Sequence, residues 1–173
     1  MGIKFRHSAG FGRRIEYWII GQMLRENLDV YVPLVDDFGV DAVIRKKNNS
    51  FVEVQIKARS ENVVEGNAAL FAGIQHPEKR ENYYFIFYSE RLEKIWIMSS
   101  EQFIDEAAQN KNGINKGKRS TWFNGTKKDP KTKEKIEYPR SRYDKYLASD
   151  FSTFREAAGL ALATPEPDIS DTE

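Results

Sequence analysis

Between Val35 and Arg59 the chain carries a carboxylate at Asp41, an amide at Gln55 and an ammonium at Lys57. Carboxylate and amide oxygens are hard donors, the kind a divalent cation accepts while keeping several of its waters. A lysine beside such a cation can orient or activate a water, or offset charge on a phosphate. The three groups do chemistry together only if the chain folds them onto one surface.

Two β-rich segments are available to do so. Val40 to Arg45 and Phe51 to Ala58 flank Lys46-Lys47-Asn48-Asn49-Ser50, whose Asn-Asn-Ser run tolerates positive φ and reads as a hairpin turn. Alternation along the second strand sends Val52, Val54 and Ile56 to one face and Glu53, Gln55 and Lys57 to the other. Asp41 interrupts the apolar run Val40, Ala42, Val43, Ile44, just after Gly39 in the acidic turn Asp36-Asp37-Phe38-Gly39. A hairpin brings it near Gln55 and Lys57. The polar face has two readings at this point, the wetted side of a sheet or a site.

The order of a helix bearing Glu16, a strand opening at Gly39-Val40-Asp41 and a strand bearing Gln55-Ile56-Lys57 resembles the PD-(D/E)XK nuclease superfamily, with its restriction-endonuclease-like fold. The likeness is greatest to the branch of Holliday-junction resolvase-like and restriction-like enzymes whose motif opens G-x-D, in a Q-x-K variant, and it spans roughly residues 10 to 109. The resemblance implies that Asp41 and Gln55 bind Mg²⁺, with Mn²⁺ a substitute, that Lys57 assists the attacking water, and that Glu16 completes the site. It implies a metal-dependent endonuclease hydrolysing phosphodiester bonds in DNA, on an α/β/α sandwich with a central mixed sheet of about five strands. The chain departs from the family pattern twice. Gly-Val replaces the Pro before Asp41, and Gln55 replaces an acid, which lowers the charge offered to a metal unless Glu16 or Glu53 compensates. The alternative implied by Gln55 is a catalytically weak or inactive module of the same fold that binds nucleic acid or a partner protein. Taken by itself, Glu16 reads as an exposed helix acid, pairing with Arg13 or with nothing.

Composition sets the outer bounds. The 173 residues suffice for one domain with a real core, and 40% hydrophobic with 13% aromatic content is globular. Lys plus Arg number 27 against 26 for Asp plus Glu, so a nucleic-acid surface must come from segregated charge. There is no cysteine, which excludes disulfides and thiolate metal sites, and the two histidines, His7 and His76, argue against an imidazole-rich zinc centre. The N-terminal residues lack an apolar targeting core, and no segment approaches the ~18 apolar residues of a membrane span, so a cytoplasmic protein off the membrane is expected.

Helical spacing predicts a first helix from about Ser8 or Gly10 to Asn27, with Ile15, Trp18, Ile19, Met23 and Leu24 as its buried stripe. Arg13 and Arg14 near its start suit phosphate, or a solvated face. Val30 to Val35 is expected as a strand interrupted by Pro33, and Ala68 to Ile74 as a short helix or a strand. Gln75 and His76 are placed to approach the site. The aromatic run Asn82 to Tyr88 reads as a central strand covered on both faces, followed by a strand at Ile95 to Met98 and a helix capped by Ser99 or Ser100 that runs to Gln109.

From about 111 to 138 the composition turns basic and glycine-containing, an insertion whose Lys118, Arg119, Lys127 and Lys128 join Arg13, Arg14 and Arg59 as candidate contacts to a nucleic-acid backbone. Thr121 to Asn124 and Lys135 to Tyr138 are expected to pair around Asp129-Pro130, with Trp122 and Phe123 as anchors. A last helix is expected from Phe151 to Leu162 with Asp150 as cap, closing a single domain of residues 1–163 before a disordered acidic tail at 164–173. A cut through both strands of a duplex or a junction needs two sites, so a homodimer is expected for such a substrate.

Overall fold

The computed structural model describes residues 8–35 and 38–160, and the side chains from Gly10 onward within them. Asp36, Asp37 and the expected tail at 164–173 lie outside the described residues.

Helix α1 spans Ser8–Arg25. It stops where Asn27 takes a left-handed conformation (φ 60°) and Leu28 N–H reaches back to the Met23 carbonyl at 3.2 Å, a Schellman-type ending two residues short of expectation. Its buried arc is centred on Ile19 and Met23 and includes Ile20, while Trp18 and Leu24 remain 44% and 53% exposed. At about 100° per residue both fall at the margins of that arc, which corrects the expected stripe.

The chain then forms β1 (Val30–Tyr31), β2 (Ala42–Arg45), β3 (Phe51–Arg59), β4 (Leu70–Ile74), β5 (Tyr83–Ser89) and β6 (Lys94–Ser99). Helix α2 (Ser100–Glu106) follows, then β7 (Ala108–Gln109), β8 (Arg119–Trp122), β9 (Asn124–Lys128), β10 (Lys135–Pro139), a 3₁₀ turn at Ser141–Tyr146, β11 (Leu147–Ala148) and helix α3 (Ser152–Ala158). The fold is α/β, with a central mixed sheet of six strands in the order β1-β2-β3-β5-β6-β11. The β3–β5 pair is parallel and its neighbours are antiparallel. The sixth strand, β11, is a two-residue edge pairing Leu147 with Trp96, too short to leave a periodic signal.

The hairpin predicted at β2–β3 is present, with Ala42 opposite Val54 and Ile44 opposite Val52. Its apolar face, with Ile86 and Ile97, packs on α1 and α3 through Ile19, Met23, Phe154 and Ala158. The other face of the sheet packs Tyr83, Phe85, Phe87, Trp96 and Met98 against Phe103 of α2, Phe71 of β4, Phe123 and Tyr143.

Several boundaries differ from expectation for identifiable reasons. The expected strand at 30–35 ends at Tyr31, two residues before Pro33, which has no N–H to donate. Within segment 68–74 the residues from Leu70 onward form a strand, β4, which belongs to a second sheet ordered β4-β8-β7. Helix α2 has the capping box of Ser99 with Gln102 but ends at Glu106, because Ala107 is extended and β7 pairs with β8. The basic hairpin turns around Asp129-Pro130 as expected, but its first strand is β9, with Asn124 opposite Pro139 and Lys128 opposite Lys135. Residues 119–122 are already paired with β4, and buried Phe123, whose N–H donates to the Ala69 carbonyl at 3.0 Å, is the pivot between the two pairings. Helix α3 ends at Gly159 in a left-handed conformation (φ 68°), short of Leu162, and Asp150 Oδ1 accepts from Ser152 N–H at 2.9 Å at its start.

Candidate functional site

The register Ala42–Val54 sets Asp41 beside Gln55, one step before β2 begins. Asp41 N–H donates to the Val54 carbonyl at 2.9 Å, and Asp41 Oδ2 accepts from Ile56 N–H at 2.7 Å. Its carboxylate thus takes the Ile56 N–H, which the extended register would have set opposite Val40, and this fixes the acid at the open end of the strand pair.

Gln55 is 8% exposed, so the polar face of β3 is not simply wetted surface. Gly39 passes directly against its amide: a Cβ built there would lie 2.3 Å from Gln55 Nε2, and φ of +69° is left-handed. Only glycine lets the backbone run this close. Gln55 and Lys57 open into a cavity of about 770 Å³ whose wall includes Phe38, Gly39, Gln75, His76, Glu78 and Arg80. The expected approach of Gln75 and His76 is therefore found. Among the described residues Lys57 has no ion-pair partner.

The acids expected to supplement Gln55 are engaged. Glu53, on the same face of β3, pairs with Arg80. Glu16 Oε2 lies 2.8 Å from Arg13 Nη1 on α1, and neither Glu16 nor Asp41 is among the described residues lining the cavity. Among the described residues no group of three or more His, Asp and Glu side chains is gathered to hold a metal. The structure thus sets Asp41 against the backbone of β3 next to Gln55 and Lys57, which line the cavity, and pairs Glu16 with Arg13 on α1.

His76 forms the inner wall. It is 4% exposed, stacked on Tyr83 and edge-on to Phe85, and its Nε2 lies 2.7 Å from Ser100 Oγ. Burial, reinforced by the charges of Arg80 and Arg119, holds its pKa down at about 4, so the ring is neutral at pH 7. Ser100 Oγ also accepts from Arg80 N–H at 2.8 Å, which ties the imidazole's partner to the loop that carries Arg80.

The candidate backbone-binding cations divide into two groups. Arg119 donates to the carbonyls of His76 and Ile104 at 3.2 and 3.1 Å, and Arg59 to that of Asn67 at 3.2 Å, so both guanidinium groups hold loops. Lys118 is half-buried, whereas Arg13 and Arg14 on α1 and Lys127 and Lys128 on β9 are exposed. Lys128 faces Lys135 across the ladder, a like-charge pair that is unfavourable without a counter-charge. Trp122 anchors the base of this hairpin, donating from Nε1 to the Gly66 carbonyl at 2.8 Å beneath the Arg140 guanidinium.

Sequence reasoning missed Arg80 and Tyr83. Arg80 Nη1 donates to the Phe38 carbonyl at 2.9 Å, and Tyr83 Oη donates to the Gly39 carbonyl at 2.6 Å. A lone loop arginine carries no sequence signal for such a role, and Tyr83 is indistinguishable from the other aromatics of β5. No helix among the described residues is long and apolar enough to cross a membrane.

No family model matches the chain, and no curated protein matches it in sequence. Among solved structures it is similar to a bacterial homing endonuclease, I-Ssp6803I, at a TM-score of 0.57 and 16% identity, over 88% of this chain and 94% of that one. At that identity, the likeness spanning nearly the whole of both chains is one of fold.

Proposed function

We propose that the protein is a metal-dependent endonuclease hydrolysing phosphodiester bonds in DNA. One observation carries the reading: Asp41, its carboxylate held by Ile56 N–H, stands next to the stretch of β3 whose Gln55 and Lys57 line a cavity open to substrate. The fold shared with a bacterial homing endonuclease supports it. One carboxylate and one amide oxygen, both hard, suit a magnesium ion that keeps waters and takes further oxygens from phosphate. Asp41 and Gln55 would hold that ion, with Glu16 the third member of the proposed set and Mn²⁺ a substitute. The ion's contribution when bound is to stabilise negative charge developing on the phosphate.

The chain's own residues do the rest. Lys57 holds the attacking water or takes its proton. Neutral His76 and the aromatic wall behind it limit water on the inner side of the cavity. Exposed Arg13, Arg14, Lys127 and Lys128, with Lys118, hold the phosphate backbone, and the unfavourable Lys128–Lys135 pair is relieved by an anionic partner. A second copy would supply the second site for a double-strand cut.

A second reading has its own support. Gln55 is neutral, and both Glu53 and Glu16 are engaged with arginines, which favours a module that binds nucleic acid without cutting. Plasmid nicking with Mg²⁺ or Mn²⁺ separates the two, comparing wild type with Asp41→Ala and Lys57→Ala. Metal-dependent cleavage lost in both variants supports the nuclease. Salt-sensitive DNA binding without cleavage in any of them leaves the binding module.

A further inference from the structure

We infer that Arg80 and Tyr83 form a two-point bracket that positions Asp41 in the site, a role resting on the reading of Asp41 as the metal-side carboxylate. The segment Phe38-Gly39-Val40 leads into Asp41, and it is held by its carbonyls. Arg80 Nη1 takes the Phe38 carbonyl at 2.9 Å and Tyr83 Oη takes the next one, that of Gly39, at 2.6 Å. The two holders are themselves locked together, with the Arg80 guanidinium stacked over the Tyr83 ring at 4.0 Å and its other arm paired with Glu53. Tyr83 is 1% exposed and stacked against His76, so the bracket stands on the core.

The consequence falls on Asp41. With two successive carbonyls fixed, Gly39 is pressed against the Gln55 amide and Asp41 enters β2 in the one position where its carboxylate accepts from Ile56 N–H. A lysine at position 80 reaches one acceptor but has no planar fork to serve both the Phe38 carbonyl and the Glu53 carboxylate. Both residues are positioning residues: neither needs to touch substrate, and each acts through the loop that carries the acid.

The test uses Tyr83→Phe and Arg80→Lys in the full chain, with Lys79→Ala, which removes only an exposed ion pair to Glu101, as the control on the same loop. Amide hydrogen exchange is read at Ile56, whose partner is the Asp41 carboxylate, and at Ile86, which is paired on both sides in the sheet. Exchange at Ile56 should rise about tenfold in both bracket variants with Ile86 unchanged, and neither amide should move in the control. Mg²⁺ alone, titrated without DNA, should bind ~10–100-fold more weakly to both variants, the usual effect of losing a group that orients a ligand. DNA binding in EDTA should be unaltered. Exchange at Ile56 that stays put, or that rises together with Ile86, overturns the bracket, as does an Ile56 change with unchanged Mg²⁺ affinity. A wild type that binds no Mg²⁺, with the exchange result intact, instead removes the nuclease reading and leaves the bracket as the device that sets Asp41.

Discussion

The two faces of β3 are built from the same nine residues and have opposite fates. Val52, Val54 and Ile56 are sealed between the sheet and helices α1 and α3, where nothing but volume and apolarity matters. On the other face Glu53 pairs with Arg80 while Gln55 and Lys57 line a cavity, yet Gln55 is almost as inaccessible as the valines. A polar side chain buried on a sheet must be satisfied or must serve something. The contrast separates the residues that hold the molecule together from those that the nuclease reading needs, and it is open to direct attack.

The largest effect expected is on the polar face. Lys57→Ala should leave unfolding free energy within about 0.5 kcal/mol of wild type, since the ammonium has no ion-pair partner among the described residues. Its metal-dependent cleavage should fall about 10³-fold, equivalent to roughly 4 kcal/mol of barrier. Denaturant titration and plasmid nicking on one preparation give both numbers. A large stability loss with cleavage retained would make the polar face structural and erase the contrast.

The reciprocal experiment falls on the apolar face. Ile44 is fully buried opposite Val52, so Ile44→Ala should cost about 3 kcal/mol in urea unfolding through lost burial and the cavity left behind. The fraction that stays folded should cleave with an unchanged Mg²⁺ requirement. If the Mg²⁺ requirement shifts instead, the two faces are coupled and the division between them fails.

The cavity's inner wall gives a pH signature. His76 is held near 4 in the folded protein against about 6.5 in the unfolded chain, so between those values the unfolded state binds the extra proton. The corresponding stability is present above pH 6.5 and is lost as pH falls from 6.5 to about 4, on the order of 2–3 kcal/mol. Asp129 and Asp150 have lowered pKa values through hydrogen bonds from neighbouring groups, and they contribute losses only at lower pH. Unfolding titrations at intervals from pH 7 to 4 should show this slope in wild type and a flatter one in His76→Gln. Equal slopes would show that His76 does not carry the pH dependence of stability.

Much of this contrast was legible in the sequence, because strand alternation and a turn-forming Asn-Asn-Ser are local signals. The hairpin, the opposed faces of β3 and the covered aromatic strand β5 all follow from them. What was not legible depended on contacts between distant segments. Position 70 to 74 is extended because β8 pairs with it, while Gly66 and Gly73 hide any local preference. Trp18 and Leu24 fit a helical stripe but lie at the edges of the arc that α3 and the sheet cover. Of the site, Asp41, Gln55 and Lys57 were readable as a spacing. The pairing of Glu16 with Arg13 was readable as the plain alternative, and it is what the structure contains. The bracket of Arg80 and Tyr83 was not readable, since both act on carbonyls some forty residues away.

The smallest expected effect is the sharpest on what the polar face is for. Gln55→Glu places a second carboxylate beside Asp41 at a nearly inaccessible position, so without metal the two charges repel in a poorly hydrated place. The buried acid is then held above its ordinary pKa, and the destabilisation should grow as pH rises from about 4 towards 7, reaching about 1 kcal/mol because Lys57 on the same face offsets part of it. A cation seated between the two acids reverses the sign. Millimolar Mg²⁺ should therefore raise the melting temperature of Gln55→Glu by more than it raises that of wild type, by mass action on a tighter site. If Mg²⁺ stabilises the variant no more than wild type, position 55 does not face a cation, and burial of Gln55 is a matter of its fit against Gly39 alone.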